Sequence, residues 1–122
     1  MGTEPEPLTV AQAVQRAVDT CATDANEEML ARLLERFEDD DQPITAVQDL
    51  SARLGDADAD IDAEAEDPAL SMAIATTLYL AFRRDMEDAD DDALLRAAAR
   101  AEWKGDPPDE VVDWLAGQGV RI

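Results

Sequence analysis

Segment 56–67, with the sequence DADADIDAEAED, carries carboxylates at a spacing that could hold a calcium ion. Counted from Asp56, acidic residues occupy positions 1, 3, 5, 7, 9 and 12, where twelve-residue calcium loops place their oxygen ligands. Ile61 occupies the turn position that requires glycine, and position 12 is Asp67 rather than the longer glutamate. The low apolar content is typical of a solvated segment. We therefore predict an acidic linker over 56–67 and no metal site.

The side chains needed for most other chemistry are missing from the sequence. The chain has no histidine and one cysteine, which excludes a Ser-His-Asp triad, a histidine metal site and an internal disulfide. It contains no glycine-rich phosphate loop and no nucleophile motif. Glu102, beside Trp103, is the carboxyl best placed to have a raised pKa, and we interpret it as a helix-surface residue. We predict that the protein is not an enzyme and uses no cofactor.

Net charge is the strongest compositional signal. Thirty acidic and ten basic residues give a formal charge of −20, and both types are spread along the chain. Aspartate outnumbers glutamate, and arginine outnumbers the single lysine, which is typical of cytosolic proteins of salt-accumulating archaea. At ~1 M salt the Debye length is about 3 Å, so repulsion between carboxylates is largely screened. Salt adaptation is the favoured interpretation, and an acidic surface that mimics DNA is the alternative.

Apolar residues recur at helical spacing through six segments, and no segment shows the alternation of a strand. The sequence therefore predicts an all-α fold, a compact bundle of about six helices. The first, fourth and fifth predicted helices span 9–21, 68–82 and 90–104. The second is capped by Asp24 and ends at the acidic run 38–41, and the third runs from Pro43 to a stop at Gly55. The sixth begins after 106–108 and ends at Gly117 and Gly119. The fourth is apolar on more than one face, which places it at the centre of the core.

The two halves of the chain resemble one another at an offset of 64 residues. Thirteen of the 47 pairs from Thr9/Ala73 to Gly55/Gly119 are identical, against about five expected from composition. Two pseudo-symmetric three-helix units are one interpretation, and shared helical composition is the other. The predicted organisation is a disordered lead-in over 1–7, three-helix units over 8–55 and 68–122, and the linker between them. The two units are expected to pack as one domain.

Three apolar residues near the C-terminus are candidates for contact with a partner: Trp103, Trp114 and Ile122. Tryptophan is enriched at interface hot spots, but the two tryptophans are equally compatible with a role in the core. Cys21 lies on the apolar stripe of the first helix, and we predict that it is a buried core residue.

These features favour a non-enzymatic protein–protein interaction or assembly module that binds a protein partner or a second copy of itself. A helix-turn-helix transcription regulator is one alternative, although the charge argues against nucleic-acid binding. An acidic DNA mimic is the other. The N-terminus carries no basic residue, and the most apolar run, 69–82, is too short to span a bilayer. We expect a cytoplasmic protein in a high-salt environment with no membrane contact.

Overall fold

The computed structural model describes residues 9–23, 26–44, 49–61, 68–83 and 89–120. Six α-helices account for most of them, and within these ranges the only β-type contact is one isolated bridge, between Thr9 and Pro43. The prediction of an all-α bundle is therefore confirmed. The helices are α1 Val10–Cys21, α2 Glu27–Phe37, α3 Leu50–Ile61, α4 Pro68–Phe82, α5 Asp91–Trp103 and α6 Asp109–Gly117.

The first turn of α1 is held from two directions. Thr9 and Gln12 form a reciprocal capping box, with bonds of 3.1 and 2.9 Å between each side chain and the backbone N–H of the other. The next two N–H groups, of Val10 and Ala11, donate to the carbonyls of Gln42 and Asp40. The loop after α2 thus satisfies donors that would otherwise face solvent at the helix start.

Asn26 joins the end of α1 to the start of α2. The predicted cap, Asp24, lies outside the described residues, and Asn26 is the residue at the N-cap position of α2. Its side chain is buried; Nδ2 donates to the Cys21 carbonyl at 3.1 Å, and Oδ1 accepts from the Thr23 N–H at 2.6 Å. This one amide therefore holds the last turn of α1 and the connecting turn together.

The prediction that the third helix stops at Gly55 is wrong, because α3 continues to Ile61. The first six residues of the predicted linker are helical, and 62–67 lie outside the described part of the chain. Gly55 lies on the exposed side of α3, while Leu54 and Ala57 are fully buried and Ile61 packs against the core. Burial on this face outweighs the ~1 kcal/mol helix penalty of an internal glycine. Pro43, the predicted first residue, instead pairs with Thr9 ahead of the helix.

α4 lies at the centre of the bundle, as the sequence predicts, and contacts each of the other five helices. Its largest fully buried side chains are Leu70, Met72 and Leu80. Two threonines are also fully buried, and their hydroxyls donate to carbonyls one turn earlier, Thr76 to Met72 and Thr77 to Ala73. The helix therefore supplies the acceptors for its own buried hydroxyl donors.

The last two helices begin and end close to the predicted positions. Asp90 precedes α5, which ends at Trp103 and is followed by Lys104 and Gly105 with φ of 54° and 87°. The left-handed conformation at these two residues stops the helix, and Gly105 adopts it without steric cost. α6 ends at Gly117, and Gly119 repeats the positive φ, 82°.

A guanidinium links α1 to the start of α5. Arg16 donates through Nη1 to Asp91 Oδ1 and through Nη2 to the Ala89 carbonyl, both at 2.9 Å. Its side chain is 19% exposed, so the contact lies at the edge of the core.

The helix positions test the predicted 64-residue repeat only in part. α2 and α5 begin 64 residues apart, at Glu27 and Asp91, whereas α3 and α6 do not share that offset. The duplication stays a prediction.

Replacing Asn26 with alanine tests the junction between α1 and α2. We expect Asn26→Ala to lower the free energy of unfolding by about 1 to 3 kcal/mol, because it leaves the buried Cys21 carbonyl and the part-buried Thr23 N–H without their partner. Urea unfolding followed by far-UV circular dichroism measures the change. Glu28→Ala, at an exposed position of α2, is the matched control, and an equal effect of the two substitutions would contradict the assignment.

Candidate contact surfaces

The two tryptophans lie at the C-terminal part of the bundle. Trp103 ends α5 and Trp114 lies in the middle of α6; both are partly buried and pack against the core. Each ring therefore combines core packing with some solvent exposure, so their role as partner contacts stays a prediction. Ile122 lies outside the described residues. Among those described, the most exposed large hydrophobic side chain is Val112 in α6, which the sequence analysis did not single out.

One face of α4 reaches the surface and forms what we call the α4 stripe: Ser71, Ile74, Leu78 and Ala81. The four residues follow one another at intervals of three and four, which places them on one side of a helix. All are half-buried, and the three apolar members pack against the core from its edge. The sequence places α4 correctly at the centre of the core but does not reveal this open face.

The α4 stripe is uncharged in a strongly acidic protein. Residues 68–82 include no Asp, Glu, Lys or Arg, and α1, which packs against α4, carries one residue of each sign, Arg16 and Asp19. The other helices all carry exposed acids, such as Asp109 and Glu110 at the start of α6. Repulsion between charges that would come into contact is therefore weakest where α4 of one copy faces α4 of another.

A groove of about 250 Å³ lies between α2 and α3, and we call it the α2–α3 groove. Its lining residues are Arg36 and Phe37 from the last turn of α2, and Arg53 and Asp56 from α3. Arg53 Nη2 donates to Asp40 Oδ2 at 2.7 Å, and its guanidinium lies 5.6 Å from the centroid of the Phe37 ring. The groove thus brings together two arginines that the sequence separates by seventeen residues.

Arg36 is held less tightly in the same groove. Its Nη1 donates to Asp60 Oδ2 at 2.6 Å, but the two side chains are 41% and 65% exposed. Exposed pairs of this kind contribute about 0 to 1 kcal/mol, because both side chains lose freedom and water screens the attraction. A ligand that offers Arg36 another acceptor therefore replaces an ion pair that contributes little free energy.

Cys21 is fully buried, as predicted for a core residue. Burial raises the pKa of its thiol to about 12; the nearby Asp91 carboxylate acts in the same direction, while the Thr76 hydroxyl and Arg16 oppose it. The thiolate is the reactive form, so this thiol is inert at neutral pH. Glu102 remains largely exposed, and partial burial raises the pKa of its carboxyl.

The acidic segments show no geometry of a metal site where the structure describes them. Asp56 and Asp60 lie four residues apart on the same side of α3, and Asp60 is already paired with Arg36. Asp91 and Asp92 form the first turn of α5, where negative charge favours the helix dipole. Within the described ranges, no three potential ligands converge.

The described helices offer little support for either a regulator or a membrane segment. α6, the third helix of the predicted second unit, contains three acids and no arginine. Arg53 is the single basic residue of α3 and is bonded to Asp40. None of the described helices has the length and apolar character needed to cross a bilayer.

Comparison with known proteins identifies no relative, since no family model, curated protein or solved structure matches the chain significantly.

Burial of the Cys21 thiol predicts how the free energy of unfolding depends on pH. Because the folded-state pKa of Cys21 is raised to about 12, its neutral form stabilises the fold below the ordinary thiol pKa of 9, and this contribution is lost as pH rises toward 12. We expect the free energy of unfolding to fall by about 1.4 kcal/mol per pH unit above 9, relative to Cys21→Ala. Urea unfolding of both proteins at matched pH measures the difference. Parallel pH profiles of the two proteins would show that the thiol does not titrate in this way.

Proposed function

We propose that this chain is a non-enzymatic protein–protein interaction and assembly module that pairs with a second copy of itself through the α4 stripe. It works in the salt-rich cytoplasm that its composition favours. The observation that supports this proposal is a half-buried apolar face on the one helix without charged residues. Apolar surface that stays partly in water is stabilised when a second apolar surface covers it.

Electrostatics favours pairing at this face over pairing elsewhere. Two copies carry −20 each, so any contact between acid-bearing helices brings like charges together. At the α4 stripe, the contacting residues carry no charge, and only the longer-range repulsion remains. Molar salt reduces that term, since the Debye length falls to about 3 Å.

Size sets a limit on how strong this pairing is. Ser71 and Ala81 are ten residues apart, a rise of about 15 Å along the helix. A standard interface buries about 800 Å² on each partner, a patch roughly 30 Å across. The stripe therefore supplies the apolar centre, and polar residues around it form the rim. We expect a reversible, salt-dependent dimer rather than an obligate one.

Self-association can be measured by sedimentation equilibrium in molar KCl. We expect Leu78→Glu and Ser71→Glu each to weaken dimerisation by about tenfold or more, because each places a carboxylate in the paired stripes, where it loses water without gaining a partner. Ser71→Glu removes no apolar contact from the core, so it separates loss of pairing from loss of folding.

Val112→Glu is the matched control, since it adds the same charge at the exposed apolar position of α6. Circular dichroism confirms that each variant is folded. A monomer at every soluble concentration of the wild-type chain would overturn self-association, as would equal weakening by the control.

Salt dependence of stability tests the proposed environment. Repulsion among the thirty acidic residues opposes the compact state, so we expect the urea midpoint of unfolding to rise with KCl and to level off near ~1 M, where screening is nearly complete. NaCl at equal ionic strength should give the same rise. Midpoints that are equal in dilute buffer and in molar KCl would contradict salt adaptation.

A further inference from the structure

The α2–α3 groove is lined by residues of α2 and α3 and shares none with the α4 stripe. One of its arginines is fixed in place. Arg53 bonds to Asp40, whose side chain is 12% exposed, and its guanidinium covers the Phe37 ring. Only Nη2 of this guanidinium is used in the described contacts, so its other N–H groups remain donors toward the groove.

Arg36 supplies a second guanidinium that can change its partner. It uses Nη1 toward Asp60, and both side chains are well exposed. A ligand carboxylate placed between Arg36 and Arg53 would accept hydrogen bonds from both, and charge-assisted bonds of this kind are about twice as strong as neutral ones. The groove therefore has the donors for one carboxylate.

The surrounding charge excludes a simple anion as the preferred ligand. Three carboxylates, of Asp40, Asp56 and Asp60, stand around the two guanidinium groups, and the chain as a whole carries −20. A ligand with a negative charge alone is repelled by this field. A ligand that also carries a positive charge is not, provided that its cation lies next to a carboxylate.

Asp56 is that carboxylate. It lies three residues after Arg53, one turn further along the same face of α3, and lines the groove with it. It has no ion pair among the described residues and is exposed, so it is available as an acceptor. The aromatic ring of Phe37 does not compete for the cation, because the ring is 3% exposed and lies under Arg53. A cation with N–H groups therefore suits this groove better than a quaternary ammonium.

From this geometry we propose that the α2–α3 groove binds a small zwitterion of the α-amino acid class. The ligand carboxylate accepts from Arg36 and Arg53, and the primary ammonium donates to Asp56. The side-chain end of the ligand faces the open side of the groove, so binding selects for the two charged groups and not for a particular side chain.

Nuclear magnetic resonance titration of the full chain with glycine, in buffer containing KCl, tests the proposal. We expect saturable shifts of the Arg36 and Arg53 Nε–H signals and of the Asp56 amide. Chloride in the buffer competes at any site that accepts simple anions. We expect Arg36→Gln and Asp56→Asn each to raise the Kd for glycine by about tenfold or more, because each removes one charge-assisted contact.

Glu28→Gln is the matched control, since Glu28 is an exposed acid of α2 outside the groove, and its Kd should equal that of the wild type. Acetate, methylammonium and glycine betaine are the comparison ligands, and all should bind at least tenfold more weakly than glycine. Equal binding of acetate would show that the groove recognises only a carboxylate and would overturn the zwitterion proposal. Equal binding of glycine betaine would rule out the N–H contact with Asp56. Absence of saturable shifts with glycine would overturn the proposal outright.

Discussion

The burial of α4 against the other five helices is the constraint on which the rest of this structure depends. A chain of 122 residues has room for one small core, and a carboxylate placed inside it without a partner costs several kcal/mol. The chain meets this constraint by concentrating uncharged residues in 68–82 and leaving the acids to the surrounding segments. Each outer helix then needs only one apolar stripe, since its other side faces water.

The same constraint explains why the polar groups near α4 are fully hydrogen-bonded or uncharged. Thr76 and Thr77 bond to their own helix, and Cys21, beside Thr76, stays a neutral thiol. Arg16 reaches the edge of this region, and there it meets both a carboxylate and a carbonyl at the start of α5. Within the described ranges, every buried side-chain polar atom has a hydrogen-bond partner. Polar groups are tolerated next to the core only where their bonds are complete.

Much of the fold could be predicted from local sequence, but the contact surfaces could not. The start of α1 and the stop after α5 depend on neighbouring residues, and the predicted ranges 9–21 and 90–104 match the two helices to within one residue at each end. The prediction that the third helix stops at Gly55 was wrong because the low helix propensity of glycine is outweighed by the burial of Ala57, which depends on distant helices. Periodicity locates the α4 stripe on one face but does not show that this face is open. The α2–α3 groove depends on bonds between residues 13 and 24 positions apart.

Salt is expected to change pairing through the α4 stripe and binding in the α2–α3 groove in opposite directions, because the first is opposed by charge repulsion and the second depends on charge attraction. Pairing through the α4 stripe is opposed by repulsion between two acidic chains, so screening strengthens it. Binding in the α2–α3 groove depends on attraction between ligand charges and Arg36, Arg53 and Asp56, so screening weakens it. Because α4 and the groove residues share no ion pair in the described structure, the two effects are separable. High salt therefore favours the paired chain, and a ligand for the groove must be abundant to bind there.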